Sequence, residues 1–171
     1  MSSVPLPIET ERLLVRPFLP DSDSAAMASV YCDPDVMRFI PGGALEDLAA
    51  VRAALEGHAA EQVRRGFAFW AVVERATGAV IGDVGFGIFE PTGEIELGWT
   101  LARDRWGRGY ATEAASACLG AGLAHLAASR IVALVDAENE PSSRVAERIG
   151  MTRIETIERH GRPHVLFAAA A

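Results

Sequence analysis

Two apolar periods alternate along this chain. Glu94 to Leu101 places Ile95, Leu97, Trp99 and Leu101 on one side and Glu94, Glu96, Gly98 and Thr100 on the other, the period of two that a half-buried strand requires. Leu48, Val51, Leu55, Ala59 and Val63 recur at helical spacing within Leu45 to Arg65, which predicts a helix closed by Gly66. Upstream, Arg12 to Arg16 reads as a first strand, with Pro17 marking a sheet edge or the strand's end. A helix opens at Pro20 and Asp21, runs to Tyr31 and is broken by Asp33-Pro34-Asp35. Phe67 to Val73 and Val80 to Phe89 read as a hairpin around Ala76-Thr77-Gly78, and Pro91-Thr92-Gly93 is the next turn. Phe67, Phe69 and Trp70 read as core.

Beyond the alternating strand, a helix is predicted from Tyr110 to Ala127, bringing Ala111, Ala115, Leu119, Gly122 and Leu126 to one face for core packing. Ile131 to Val135 is a continuous apolar run, as in a strand buried on both faces. A short helix from Pro141 to Ile149 ends at Gly150, and two strands finish the chain. The order is strand, two helices, three strands, helix, strand, helix, two strands. It defines an α/β fold around a mixed sheet, expected as a single domain over residues 1–171. The unit from Glu94 to Val135 is expected to be a right-handed crossover between parallel strands.

Composition narrows the function classes. Half of the residues are apolar, yet no apolar run is long enough to cross a bilayer. Met1-Ser2-Ser3-Val4-Pro5 has neither the basic start nor the apolar stretch of a signal peptide, so a cytoplasmic location without membrane contact is expected. A net charge of −7 without a basic stripe argues against nucleic acid as a partner. Cys32 and Cys118 form neither a metal-type spacing nor a disulfide framework, and Cys118 among Ala and Leu reads as a small core residue. His160 and His164 flank Gly161 and Pro163 rather than sharing a helical face, so no metal site is expected.

One segment carries candidate chemistry. Arg103-Asp104-Arg105-Trp106-Gly107-Arg108-Gly109-Tyr110-Ala111-Thr112-Glu113-Ala114 lies between a predicted strand and a predicted helix. Gly107 and Gly109 let the backbone turn with its amides exposed, and the following helix start carries unpaired amides and partial positive charge. Such a junction is an anion site suited to a pyrophosphate. Arg103, Arg105 and Arg108 add positive charge around it. A plain glycine-rich loop with solvated arginines is the competing reading. The loop lacks the Lys-Ser/Thr of a nucleotide P-loop and the three-glycine dinucleotide fingerprint. Glu94 and Glu96 share one strand face; exposure is the usual fate of such carboxylates. Asn139 reads as the cap of the helix at Pro141, with the Ser142 hydroxyl expected to find a local backbone partner. Gly98 fits either a close backbone approach or packing under a bulky neighbour.

The string Trp106-Gly107-Arg108-Gly109-Tyr110-Ala111-Thr112-Glu113-Ala114 resembles the phosphate loop of the GNAT acetyltransferases, in particular the RimJ/RimL-like branch, with Trp106 where the broader family has Gln or Arg. Thr10-Glu11-Arg12-Leu13-Leu14-Val15-Arg16-Pro17 is similar to the branch's opening strand. Asn139-Glu140-Pro141-Ser142 to Arg148-Ile149-Gly150-Met151 resembles its Asn-x-x-Ser … Gly-Phe segment, with Met151 for Phe. The resemblance is collinear over nearly the whole chain. It implies the GNAT fold: a mostly antiparallel sheet of six to seven strands with a central splayed parallel pair and about four helices. It also implies acetyl-coenzyme A as cosubstrate, no metal, and direct transfer to a primary amine, on a protein N-terminus or a small molecule. A fold-sharing protein that binds acyl-coenzyme A without turnover is the alternative. Cofactor contacts are implied at Leu97, Trp99, Leu101, Arg103, Trp106, Gly107, Arg108, Gly109, Tyr110, Ala111, Thr112, Asn139 and Ser142. Glu96 is implied as the base, with Glu94 second, and Ser142 as the acid that protonates the departing thiolate. The acceptor site is expected between the first two helices, residues 33–45, where Pro41-Gly42-Gly43 forms an entrance loop, and at the end strands. A homodimer is plausible by analogy.

Overall fold

The computed structural model describes residues 2–170; Met1 and Ala171, the ends of the expected domain, lie outside it. The alternating segment forms β5 (Glu94–Leu101), with the bounds its pattern predicts. Around it run β1 (Ile8–Glu9), β2 (Leu13–Arg16), α1 (Pro20–Tyr31), α2 (Leu48–Arg65), β3 (Phe69–Glu74) and β4 (Ala79–Phe89). After it come α3 (Tyr110–His125), β6 (Arg130–Asp136), α4 (Glu140–Arg148), β7 (Thr152–Arg159) and β8 (Arg162–Ala170). The sheet has eight strands, ordered β1-β2-β3-β4-β5-β6-β8-β7. The count exceeds the expected six to seven because the two-residue β1 pairs outside β2, at Ile8↔Val15 and Glu9↔Leu14. Two residues are too short for any period to register, and Pro17 therefore ends an inner strand.

The crossover through α3 pairs β5 with β6 in parallel, the only parallel pair among the described strands, and only at Ile95↔Ile131 and Glu96↔Val132. Beyond Glu96 the two strands part, so the β6-facing backbone groups of Leu97 to Leu101 have no strand partner. This gap is the splayed pair that the resemblance implies.

Two cores cover the two sheet faces. Val84, Phe86, Leu97, Ile131, Ala133 and Phe167 pack against α3, where Ala115, Cys118 and Leu119 are buried. A Cβ on Gly122 would stand 2.4 Å from Phe86 Cζ, so the small residue sets how closely α3 approaches the sheet. Ala71 and Val73 pack against α1 and α2 through Met27, Val30, Val51 and Leu55. Less than half of the expected stripe on α2 is used: Leu48, Ala59 and Val63 are exposed. The register that buries Val51 and Leu55 turns Gln62 inward rather than Val63, and Gln62 Oε1 accepts the Trp70 indole N–H at 2.8 Å. No helix among the described residues is long and apolar enough to cross a membrane.

Candidate active site

The turn between β5 and α3 is built to leave its amides free. Gly107 and Gly109 sit at φ 71° and 78°, the left-handed region that glycine enters without strain. The Glu113 amide is the first of α3 to be bonded, donating to Gly109 O at 3.0 Å. No acceptor among the described residues meets the amides of Gly107 to Thr112. Six consecutive donors are therefore left free beside the positive end of a 16-residue helix. A Cβ on Gly107 would meet nothing within 4 Å, so the loop borders open space. That space is a cavity of about 400 Å³, lined by Trp106, Gly107, Gly109, Tyr110, Ala111 and Thr112 together with residues of β5 and α4.

Side chains outside the loop hold it in place. Glu113 accepts from Thr10 Oγ1 at 2.6 Å, the Arg12 amide at 2.9 Å and Arg12 Nε at 2.7 Å. Burial raises the Glu113 pKa, but these bonds outweigh it and the carboxyl titrates below its ordinary range. Arg12 Nη1 donates to the Arg108 carbonyl at 2.9 Å, and its guanidinium lies 4.5 Å above the Tyr110 ring. Tyr110 is buried, its hydroxyl donating to Glu74 Oε1 at 2.6 Å, so that hydroxyl is already engaged.

The three loop arginines separate. Arg105 lines the cavity, but Arg103, paired with the lining residue Asp35, and Arg108 do not. The cations that join Arg105 are Arg144 and Arg148, one turn apart on α4. Sequence reading missed them because their signal, an i,i+4 arginine pair, is common on exposed helices. The Trp106 indole N–H donates to Leu101 O at 2.9 Å, which occupies the carbonyl implied as a cofactor contact.

A second cavity, of about 530 Å³, opens on the other side of the gap. Trp99, Thr100, Asn139 and Ser142 line both cavities, as do Phe39 and Ile40 from the α1–α2 connection. Asn139 caps α4 by accepting the Ser142 amide at 3.3 Å. The Ser142 hydroxyl, expected to bond locally, has no protein partner among the described residues. Its first-turn position gives the cap to its amide and leaves the hydroxyl for the passage.

The neighbouring carboxylates of β5 diverge. Glu94 forms an ion pair with Arg130 and accepts from Thr92 Oγ1 at 2.7 Å, and the Arg130 bond holds its carboxyl below the ordinary range. It does not line the second cavity. Glu96 does, half-buried. Burial pushes its carboxyl above the ordinary range, and the Leu134 backbone amide and the Arg159 charge pull it back only in part. The floor beside it is glycine: a Cβ on Gly98 would stand 2.9 Å from Phe69 Cε1. Gly98 thus packs under a bulky neighbour, and Phe69, expected in the core, lies over this floor as a cavity wall.

The architecture and the two-chambered gap define an α/β domain with a cleft between its parallel strands. Residues 12–152 match the family model of the acetyltransferase (GNAT) domain. The chain is 34% identical to the uncharacterized N-acetyltransferase YnaD of Bacillus subtilis, over 85% of this chain and 82% of that one. Its fold is similar to that of a GNAT-family acetyltransferase from Bacillus anthracis, with a TM-score of 0.83 and 28% identity over 96% of this chain and 98% of that one. It is similar also to RimJ of Mycobacterium smegmatis in complex with CoA-disulfide, with a TM-score of 0.79 and 22% identity over 93% and 82%. The chain belongs to the GNAT acetyltransferase family.

Proposed function

We propose that the protein is an acetyl-coenzyme A-dependent N-acetyltransferase of the RimJ/RimL-like branch, acting in the cytoplasm on a primary amine. The observation that carries the reading is the run of six unpartnered amides from Gly107 to Thr112, beside a cavity that five of these residues line and that meets a second one at Trp99, Thr100, Asn139 and Ser142. Consecutive free N–H groups, with no Cβ at Gly107 or Gly109, suit a pyrophosphate. Arg105, Arg144 and Arg148 supply charge for the outer phosphates, as the strand-edge groups of Leu97 to Thr100 supply partners for a pantetheine arm. Trp106 shapes the wall. Arg103 and the Arg108 side chain contribute through the loop's fold and the general field.

Acetyl-coenzyme A supplies an already activated acyl group, so the protein's work is alignment and proton management. Glu96 takes the proton of the acceptor nitrogen, directly or through water, because an amine attacks only when neutral. The nitrogen–carbon bond forms as the carbon–sulfur bond breaks. The Ser142 hydroxyl delivers a proton to the leaving sulfur, and a strand amide near Trp99 meets the charge on the carbonyl oxygen. The raised Glu96 pKa favours this role, since a stronger base serves better while it remains ionised near neutrality.

Thiol release from acetyl-coenzyme A with a panel of amines and N-terminal peptides tests the reading. Turnover with at least one acceptor is expected. Coenzyme binding without turnover for any acceptor would instead establish the non-catalytic acyl-coenzyme A binder.

A further inference from the structure

Arg159 ends β7, one residue before a tight turn in which His160 has φ 52° and Gly161 has φ 72°. It lines the same cavity as Glu96, from the opposite strand pair. Its guanidinium lies 5.8 Å from the Phe89 ring centroid, and its Nε is buried without a hydrogen-bond partner. The carboxylate near it, Glu90, stands 3.9 Å away with a side chain 85% exposed, a pairing too long and too wet to satisfy it. Arg162, across the turn, differs: Asp136 at 3.1 Å and Glu138 at 2.7 Å pair with it. The same pairing neutralises Asp136, which also lines the cavity. The charge of Arg159 reaches Glu96, since it opposes the rise in that carboxyl's pKa.

The Arg162 guanidinium lies 5.6 Å from the Phe39 ring centroid, joining the β7–β8 hairpin to the α1–α2 connection. A half-buried base and an under-paired guanidinium thus line one cavity, an arrangement that matches a molecule carrying both an ammonium and an anion. Guanidinium recognises carboxylate in a bidentate fork that an amide does not reproduce.

We propose that Arg159 anchors a carboxylate of the acceptor, and that the acceptor is a free amino acid rather than the N-terminus of a protein. This rests on the transferase reading and names its substrate class. Glu96 then receives the amino group while Arg159 fixes the other end.

The test compares free amino acids, their primary amides and short peptides with free N-termini in the thiol-release assay. Wild-type protein should show kcat/KM at least about tenfold higher for an amino acid than for its amide, the weight of one charged hydrogen-bonded pair. Arg159→Gln should erase that preference by raising KM for the amino acid. It should leave coenzyme A affinity unchanged, which also shows that the variant folds. Equal or better use of amides or peptides by the wild type would overturn the proposal while leaving the transferase reading intact. An undiminished preference in Arg159→Gln would overturn it as well. No turnover with any amine would sink both.

Discussion

Glu94 and Glu96 sit two residues apart on one strand face and behave as different groups. Arg130 satisfies the first; burial raises the pKa of the second. The alternation that placed both on one face was legible in sequence. Which one would be neutralised was not, because Arg130 comes from β6, 36 positions away. Replacing Glu96 with Gln is expected to lower kcat by about 10²–10³-fold, with coenzyme affinity unchanged. The wild-type rate should rise with pH along a limb set by Glu96, above the ordinary glutamate range, because the carboxylate is the active form and its pKa is raised. Glu94→Gln should leave that limb in place. Initial rates between pH 5 and 9 check both, within about that window.

Asp83 makes a residue-scale prediction about stability. It is 3% exposed, its Oδ2 accepts from the Tyr31 hydroxyl, and burial raises its pKa from 3.8 to about 6. The folded state therefore holds this proton more tightly than the unfolded chain. The stabilisation from Asp83 is full below pH 3.8 and is lost as pH rises through about 6. Asp83→Asn should remove that loss. Its stability relative to wild type should improve between pH 4 and pH 7 by at most about 3 kcal/mol, read by chemical unfolding at both.

At the scale of elements, the strand–loop–helix junction was the most legible part of the site. The glycine pair, the following helix and the flanking arginines are contiguous, so local chemistry determines them. The clamp was less legible, because Thr10 and Arg12 meet Glu113 across about a hundred positions of chain. Glu113→Ala removes three hydrogen bonds at a partly exposed site. It should cost about 1–2 kcal/mol in unfolding free energy and weaken coenzyme binding by freeing the loop. Gly109→Val acts differently. Its φ of 78° strains any β-branched residue. Coenzyme A affinity should fall at least tenfold, more than the loss in stability explains. Equal loss of binding and fold would remove support for the loop's role. Arg144, Arg148 and Arg159 stayed hidden for a different reason: their spacing is ordinary, and only the folded sheet brings them to the two cavities.

Across the whole molecule, the sequence order of strands and helices matched the architecture because each segment's period agrees with its place. The parallel β5–β6 pair follows from the crossover helix between them. The sheet's outer strand, the partly used face of α2 and the position of Phe69 over a glycine floor depend on long-range packing and carry no local mark. Binding that spans the gap ties α3, α4, β5 and β6 together. Coenzyme A at a hundredfold excess over its dissociation constant should add about 2.7 kcal/mol to the unfolding free energy.

The central claim is that the amides of Gly107 to Thr112 hold the pyrophosphate and so deliver the thioester to the gap between β5 and β6. Titration of isotope-labelled protein with coenzyme A, followed by backbone amide resonances, tests it most directly. The six loop amides and the Asn139 side-chain amide should shift together at one affinity, and dephosphorylated pantetheine should leave the loop amides unmoved. Saturable coenzyme binding that shifts other regions but not Gly107 to Thr112 would contradict it.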